Sequence, residues 1–292
     1  MIDYHHLKNR TFADVEHRYG TDFTISYALA LGIGFDPMDE DDLRYVNDVV
    51  AGTPVALPTM STVVGFPGTW MGEPDTGIDV LRIVHGEELI TMHEPMPAAA
   101  TLVARHRVVR VVDKGEGRGA VVTYDKELLE PSSGRRIATI THTTFARGDG
   151  GFSAKDGVTD TSPPPPAKVP TGTPDKVFEL RTLPQQALLY RLCADRNPLH
   201  STPSVARAAG FERPILHGLC SYGVAAFAIL KHWGGSDPAR MKSLFSRFSA
   251  PVIPGETLRV EMYRQGDGIG FRVRVLERDV VALDYGFAQL AP

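Results

Sequence analysis

The chain has 292 residues, of which 42% are hydrophobic and 23% are charged, and its formal net charge is −4 at pH 7. This composition is ordinary for a globular protein, and the length predicts about two domains. A weakly acidic chain without a basic tract argues against nucleic acid as the main partner, and the absence of a long apolar run argues against a membrane span.

The two cysteines, Cys193 and Cys220, are isolated in the sequence. Two separate thiols favour small buried residues in a reducing compartment over a disulfide framework. The first residues, MIDYHHLKNR, lack the apolar region of a signal peptide, and the last four, QLAP, do not match a Ser-Lys-Leu address. We therefore expect a cytoplasmic protein.

The first half begins with a helical pattern and continues with strand patterns. Residues 22–34 predict a helix that ends at glycines, and residues 35–52 predict a polar loop whose acidic side chains face solvent. Residues 57–71 begin as a buried apolar helix, but Gly65, Pro67 and Gly68 end it early. Four runs rich in Val, Ile and Thr then predict antiparallel strands, and the half is therefore α+β; the runs are 81–95, 101–115, 118–130 and 135–148.

Residues 147–176 include four consecutive prolines and few apolar residues, which predicts an extended connector. A proline-rich ligand for another domain is the less favoured interpretation. The second half then repeats the alternation of helices and strands. Its predicted elements are a strand at 177–183, helices at 184–195, 204–211 and 214–233, and strands from 244 to 290.

The two halves are weakly similar to each other. Residues 95–109 correspond to 252–264, and each segment is followed by a glycine-rich turn and a Val-rich strand. Internal similarity of this kind predicts two copies of one unit, here a long helix wrapped by an antiparallel sheet. We predict a first repeat at 1–150, a linker at 151–175 and a second repeat at 176–292.

The most informative stretch is the polar run that contains Asp195, Asn197 and His200. Pro198 prevents this run from continuing as a regular helix, so the three side chains are held on a bend. Two interpretations of the bend are about equally favoured from residue types alone. One is an ordinary turn in which Asp and Asn cap their own backbone, and the other is an acid/base site.

The string DRNPLH, followed by AAGFERPILHG, resembles the signature of the MaoC-like type 2, (R)-specific enoyl-CoA hydratases. Cys193 stands at the small position of the motif, and Ala194 replaces its usual glycine. The resemblance covers nearly the whole chain and implies a double hot-dog fold. It also implies that Asp195 and His200 form the acid/base pair, that Asn197 orients the pair or the water, and that the N–H of Gly218 binds the thioester oxygen.

The activity implied by the resemblance is reversible hydration of trans-2-enoyl-CoA to (3R)-3-hydroxyacyl-CoA in fatty-acid β-oxidation. The implied partner is an acyl-CoA substrate, without a cofactor, and the implied assembly is a homodimer. Arg213 and Arg247 are candidates for binding the phosphates of coenzyme A, and Asp48 lies near an acidic position of the family. A hot-dog thioesterase and a non-catalytic acyl-CoA-binding subunit are the alternatives.

The first half carries no Asp/His motif, and we expect it to accommodate the acyl chain where its central helix is cut short, near Met60 and Val64. His85 is expected to be a structural histidine, since no carboxylate follows it at the spacing found in the second half. No residue is suggestive of a metal site, since Asp195, His200 and His217 lack the spacing of a ligand set, and we therefore expect no metal.

Overall fold

The computed structural model describes residues 1–155, 157–193 and 195–292; Ala194 is outside the described residues, as are the side chains of Val50 and Ala51. The departure of Ala194 from the family motif therefore has no structural account. The described α-helices are α1 (Tyr4–Lys8), α2 (Thr21–Leu31), α3 (Glu40–Val46), α4 (Asp48–Ala51), α5 (Gln186–Cys193), α6 (Pro203–Ala208) and α7 (Gly218–Trp233).

All ten described strands belong to one antiparallel sheet. Its order is β1-β3-β4-β5-β2-β7-β10-β9-β8-β6, so each half contributes five strands in the same internal order. The halves meet where β2 pairs with β7 and Leu89 lies opposite Phe245. The strands are β1 (Val15–Tyr19), β2 (Ile83–Met92), β3 (Ala100–Asp113), β4 (Ala120–Leu129), β5 (Arg136–Ala146), β6 (Lys176–Arg181), β7 (Met241–Phe248), β8 (Thr257–Gln265), β9 (Gly268–Val275) and β10 (Val280–Leu290).

Helix α7 forms the centre of the second half. Residues from Cys220 to Leu230 are buried without interruption, which explains why this segment is apolar on every side. Tyr222 is fully buried, and its hydroxyl donates a hydrogen bond to the carbonyl oxygen of Leu244 on β7 at 2.5 Å. The predicted helix over 214–233 is confirmed, although it begins at Gly218.

The first half has no comparable central helix among its described residues. Its counterpart is a single 3₁₀ turn at Pro58–Thr62, and the chain then leaves through Gly65 in the left-handed region at φ 65°. A Cβ on Gly65 would lie 2.3 Å from the Cβ of Ala104 on β3, so this position requires glycine. The helix therefore ends early because the chain at Gly65 passes so close to β3.

The loop predicted over 35–52 is wrong in part, because α3 and α4 lie within it. Asp39 caps α3 by accepting hydrogen bonds from the backbone N–H groups of Asp41 and Asp42. Nor do all the acidic side chains face solvent. Asp42 is buried, and its carboxylate lies 2.6 Å from the ammonium group of Lys231 on α7, which also binds Asp39. Helix α1 and strand β1 were not predicted either.

The connector is tied to both halves, and residues 157–175 contain no described helix or strand. The carboxylate of Asp160 accepts hydrogen bonds from the hydroxyl of Tyr4 and the N–H of Val111, each at 2.8 Å. Further along, Arg272 donates to the carbonyl oxygens of Val169 and Pro170. The domain boundaries near residues 150 and 175 stay a prediction.

Candidate active site

The loop after α5 is held by its own polar side chains. One carboxylate oxygen of Asp195 accepts a hydrogen bond from the N–H of Asn197 at 2.8 Å, and the amide oxygen of Asn197 accepts from the N–H of Leu199 at 3.0 Å. These bonds cap the 3₁₀ turn Pro198–His200. The capped turn inferred from residue types therefore exists. It leaves the second carboxylate oxygen of Asp195 without a hydrogen-bond donor among the described residues.

Asn197 is exposed, and the cap is the one hydrogen bond that its side chain makes with the described residues. Its role in orienting the pair or the water stays a prediction.

His200 is fixed in one tautomer. Its Nδ1 lies 2.9 Å from the carbonyl oxygen of Ile215, which can only accept, so Nδ1 carries the proton and the Nε2 of the neutral ring is an acceptor. Burial lowers the pKa of His200 below its ordinary value, while the bond to Ile215 and the charge of Asp195 act in the opposite direction. The result is a neutral imidazole near a carboxylate, with Nε2 available to accept a proton.

His217 holds this loop in place through a ring contact and a hydrogen bond. Its ring stacks on His200 with centroids 3.8 Å apart, and its Nε2 donates to the backbone oxygen of Asp195 at 2.9 Å. Burial lowers the pKa of His217 to about 3, so this ring stays neutral beside His200. Sequence reasoning considered His217 only as a metal ligand and missed this positioning role.

Gly218 begins α7, and its N–H has no hydrogen-bond acceptor among the described residues. The first N–H groups of a helix point along its axis, out of the N-terminal end, without intrahelical partners, and they carry partial positive charge. A Cβ on Gly218 would lie 2.7 Å from two ring atoms of Phe248 on β7, so the ring packs directly against this backbone. The N–H can therefore bind developing negative charge next to an apolar wall.

A second cluster of titratable side chains lies in the first half. The carboxylate oxygen Oε2 of Glu88 is 3.0 Å from both the Nε2 of His85 and the Nδ1 of His142. Burial lowers the pKa of His85 to about 4, and although burial alone would raise the pKa of Glu88, the two histidines lower it to about 2. His85 thus has a carboxylate partner three residues further on, which the sequence analysis did not recognise.

These three side chains could also hold a metal ion. Their ligand atoms all lie within 4.8 Å of one another, and two imidazoles with one carboxylate suit transition metals. In the structure both imidazoles instead hydrogen-bond the carboxylate. The expectation of no metal stays untested.

The predicted substrate-binding residues lie apart from this centre or are already paired. Arg213 is exposed, has no ion-pair partner among the described residues and lies four residues before His217. Arg247 donates to Glu87 at 2.9 Å, and its guanidinium lies 4.7 Å from the ring centroid of Tyr285. Asp48 is an exposed residue at the start of α4. Substrate contacts of these three residues stay predictions.

The segment near Met60 and Val64 is itself tightly packed, since both side chains are fully buried in the main hydrophobic core. The ammonium group of Lys126 on β4 donates to the carbonyl oxygens of Thr62 and Val64 at 2.7 and 2.8 Å. Burial lowers the pKa of Lys126 to about 7. Larger side chains at 60 or 64 would therefore strain packing directly, and the acyl slot expected there stays a prediction.

The fold is that of a double hot-dog protein, and its second half holds the loop of Asp195 and His200 through His217, the residue before α7. The MaoC like domain family matches residues 166–285, and the MFE-2 hydratase 2 N-terminal domain family matches residues 17–148. The chain belongs to the MaoC-like type 2 enoyl-CoA hydratase family. The resemblance and the α+β double hot-dog fold inferred from the sequence are both confirmed.

Two relatives show how far the similarity extends. The chain is 36% identical to "Enoyl-CoA hydratase 2, peroxisomal" of Arabidopsis thaliana, over 88% of this chain and 85% of that protein. It is 38% identical to "Peroxisomal multifunctional enzyme type 2" of Drosophila melanogaster, over 85% of this chain but only 42% of the relative. The chain thus spans less than half of the length of the Drosophila enzyme.

Solved structures show the same fold. The structure of a MaoC-like dehydratase from Phytophthora capsici superimposes with a TM-score of 0.85 at 29% identity and covers 99% of each chain. A Mycobacterium tuberculosis protein described as a double hotdog fold superimposes with a TM-score of 0.59 at 15% identity, which shows the fold alone.

The expectation of a cytoplasmic protein is wrong, because relatives that match most of this chain are named as peroxisomal enzymes in Arabidopsis, Drosophila and mouse. Isolated thiols suit any compartment that does not form disulfides, so they do not distinguish the cytoplasm from the peroxisome. In the part of the chain that the structure describes, no helix is both long and apolar enough to cross a membrane.

Proposed function

We propose that the protein catalyses the reversible (R)-specific hydration of trans-2-enoyl-CoA to (3R)-3-hydroxyacyl-CoA, as a hydro-lyase. The observation that carries this proposal is the single tautomer of His200, whose Nε2 is an acceptor on a ring that lies in the field of the Asp195 charge. The N–H of Gly218 supplies the third requirement of the reaction, which is a donor to the thioester oxygen. Relatives named enoyl-CoA hydratase 2 and "3-hydroxyacyl-thioester dehydratase Y" support the same reaction.

The chemistry requires three events at one site. Water loses a proton as its oxygen attacks C3, the thioester oxygen gains negative charge as the enolate forms, and C2 then receives a proton. The Nε2 of His200 and the carboxylate of Asp195 hold the water and move the two protons. The N–H of Gly218, at the positive end of α7, stabilises the enolate oxygen.

We assign the proton transfers to Asp195 and His200 jointly. The charge of Asp195 raises the pKa of His200, so each group titrates in the field of the other and the protons belong to the pair. The Phe248 ring and the stacked His217 ring keep the immediate surroundings apolar, which strengthens the electrostatic interaction between the substrate and these groups.

The remaining parts of the proposal come from the resemblance. We place the reaction in fatty-acid β-oxidation, with an acyl-CoA as substrate, no cofactor and a homodimeric assembly. Arg213 is the better of the two predicted arginines for the phosphates of coenzyme A, because Arg247 is already paired with Glu87. Light scattering of the purified protein would measure the mass of the assembly.

The experiment that tests the proposed activity uses crotonyl-CoA and follows the absorbance of the conjugated thioester together with the release of free coenzyme A. Loss of absorbance without free thiol is the expected result. Release of the thiol would indicate a thioesterase, and no change in either signal would indicate a non-catalytic acyl-CoA-binding protein.

The stereochemistry of the product is a separate prediction. Because the acid/base pair lies on one loop, it approaches one face of the alkene. The family resemblance implies that this face gives the 3R alcohol as the product of crotonyl-CoA hydration. Chiral chromatography of the hydrolysed product measures the ratio of the two alcohols. A mainly 3S product would contradict the proposed (R)-specific reaction even if water were added rapidly.

A further inference from the structure

One face of the first-half sheet carries a row of polar side chains, whereas a slot for an alkyl chain would be expected to be apolar. In the register of the sheet, Tyr124 on β4 lies opposite His142 on β5, and His142 lies opposite Glu88 on β2. A register shift between His85 and Glu87 brings His85 into the same cluster. Three adjacent strands thus present hydrogen-bonding side chains side by side.

This row is continuous with the active site. The ring of Phe248, which touches Gly218, lies 4.1 Å from the ring of His85. The ring of His85 stacks on His142 at 3.9 Å, and His142 lies 4.9 Å from Tyr124. The negative charges of Glu88 and Asp195 both raise the pKa of Tyr124, which is also raised by burial. Tyr124 therefore lies at the end of a chain of ring contacts that begins at Phe248, and it feels the charges of both Glu88 and Asp195.

Two polar atoms of the row remain available. Glu88 accepts from Nδ1 of His142, so the Nε2 of His142 is the free ring nitrogen. Neither this nitrogen nor the hydroxyl of Tyr124 makes a hydrogen bond with a described residue, although Tyr124 is only 8% exposed. Covering a polar group with apolar atoms, so that it loses water without gaining a partner, costs about 1–3 kcal/mol. A purely alkyl tail lying here would impose that cost on both groups.

We propose that this row, with the hydroxyl of Tyr124 and the Nε2 of His142 as its contacting atoms, binds an oxygen-bearing acyl group. The preferred substrates are 2-enoyl-CoA thioesters whose tail carries a hydroxyl group, which can donate to the Nε2 of His142 and accept from the hydroxyl of Tyr124. The inference rests on the proposed hydratase function and deepens it, because it names the class of acyl group. Glu88 and His85 are positioning residues, since they hold the ring of His142 by hydrogen bonding and stacking.

The first experiment compares matched substrates in the wild-type protein. Each pair consists of a trans-2-enoyl-CoA of six, eight or ten carbons and the same thioester with a terminal hydroxyl group. At the chain length whose terminal hydroxyl reaches Tyr124, kcat/KM is expected to be about three- to tenfold higher for the hydroxylated thioester than for the plain one. This is the effect expected of one neutral hydrogen bond. A preference for the unsubstituted member at all three lengths would overturn the proposal.

The second experiment removes one hydroxyl group. Tyr124→Phe keeps the ring that packs edge-on against Trp70 and deletes the oxygen. The ratio of kcat/KM for the hydroxylated and plain substrates should fall toward one. Tyr263→Phe is the matched control, since the hydroxyl of Tyr263 bonds Gly172 on the far side of the second half, and it should keep the wild-type ratio. An unchanged ratio in Tyr124→Phe, or an equal fall on both substrates, contradicts the proposal.

A binding measurement tests the polar slot independently of the proposed hydratase activity. Calorimetry with the saturated acyl-CoA and its hydroxylated counterpart needs no turnover. Tighter binding of the hydroxylated thioester by wild type, lost in His142→Phe, would support the polar slot even if crotonyl-CoA were not hydrated. Equal binding of both thioesters by wild type would overturn the slot even if hydration were fast.

Discussion

His200→Ala and Asp195→Asn are each expected to lower the turnover of crotonyl-CoA by about a hundredfold or more, the scale of general acid–base catalysis. The first change removes the Nε2 that accepts a proton from water, and the second removes the charge next to it. Asparagine at 195 still offers an oxygen to the N–H of Asn197, so the turn that holds His200 should remain. Steady-state kinetics with a melting curve for each variant make the comparison.

The double variant is expected to lose little beyond the slower single variant, because the two residues act as one unit. A matched control is His232→Ala, which removes a histidine near the other end of α7, where its ring packs against Phe178. Turnover near that of the wild type in both single variants would remove Asp195 and His200 from the mechanism.

The pH dependence of kcat/KM tests the same assignment of Asp195 and His200. Burial holds the pKa of His200 below its ordinary value, and protonation of Nε2 at low pH should therefore abolish activity only on the acid side of neutrality. Because the charge of Asp195 raises this pKa, the acid limb of kcat/KM should move to lower pH in Asp195→Asn. A limb that stays in place or moves to higher pH would show that another group controls the rate.

Gly218→Val is expected to lower kcat by about two to three orders of magnitude, since the loss of one oxyanion donor costs about 2.7–4 kcal/mol. The variant changes no titrating group. A branched side chain at the start of α7 would occupy the space in which the thioester oxygen approaches the N–H. Single-turnover measurements on crotonyl-CoA would report the chemical step directly.

The contact with Phe248 requires a control, because a Cβ at 218 would also collide with that ring. Phe248→Ala removes the ring, so the double variant Gly218→Val/Phe248→Ala relieves the collision but keeps the branched side chain. We expect the double variant to remain as slow as Gly218→Val. Recovery to the rate of Phe248→Ala alone would show that Gly218 is a glycine required only for packing.

Sequence patterns predicted the main elements well, and they failed where a short segment depends on a cap or on a distant partner. The apolar run from Cys220 to Leu230 can only be a buried helix, and α7 confirms it. The acidic stretch near Asp42 looks like a solvated loop. Its burial depends on Lys231, which follows almost two hundred residues later, and no local pattern could show that pairing.

The amino-acid sequence alone determined the family, the repeated architecture and the candidate pair, because motif, strand alternation and Pro198 act over short distances. Tertiary structure decided which atoms of the pair are free, since the tautomer of His200 depends on the carbonyl group of Ile215. It also decided that Glu88, His142 and Tyr124 share one row, since strand register joins residues up to 54 positions apart. Hydrogen bonds of that kind follow from the pairing of strands, which a single sequence does not specify.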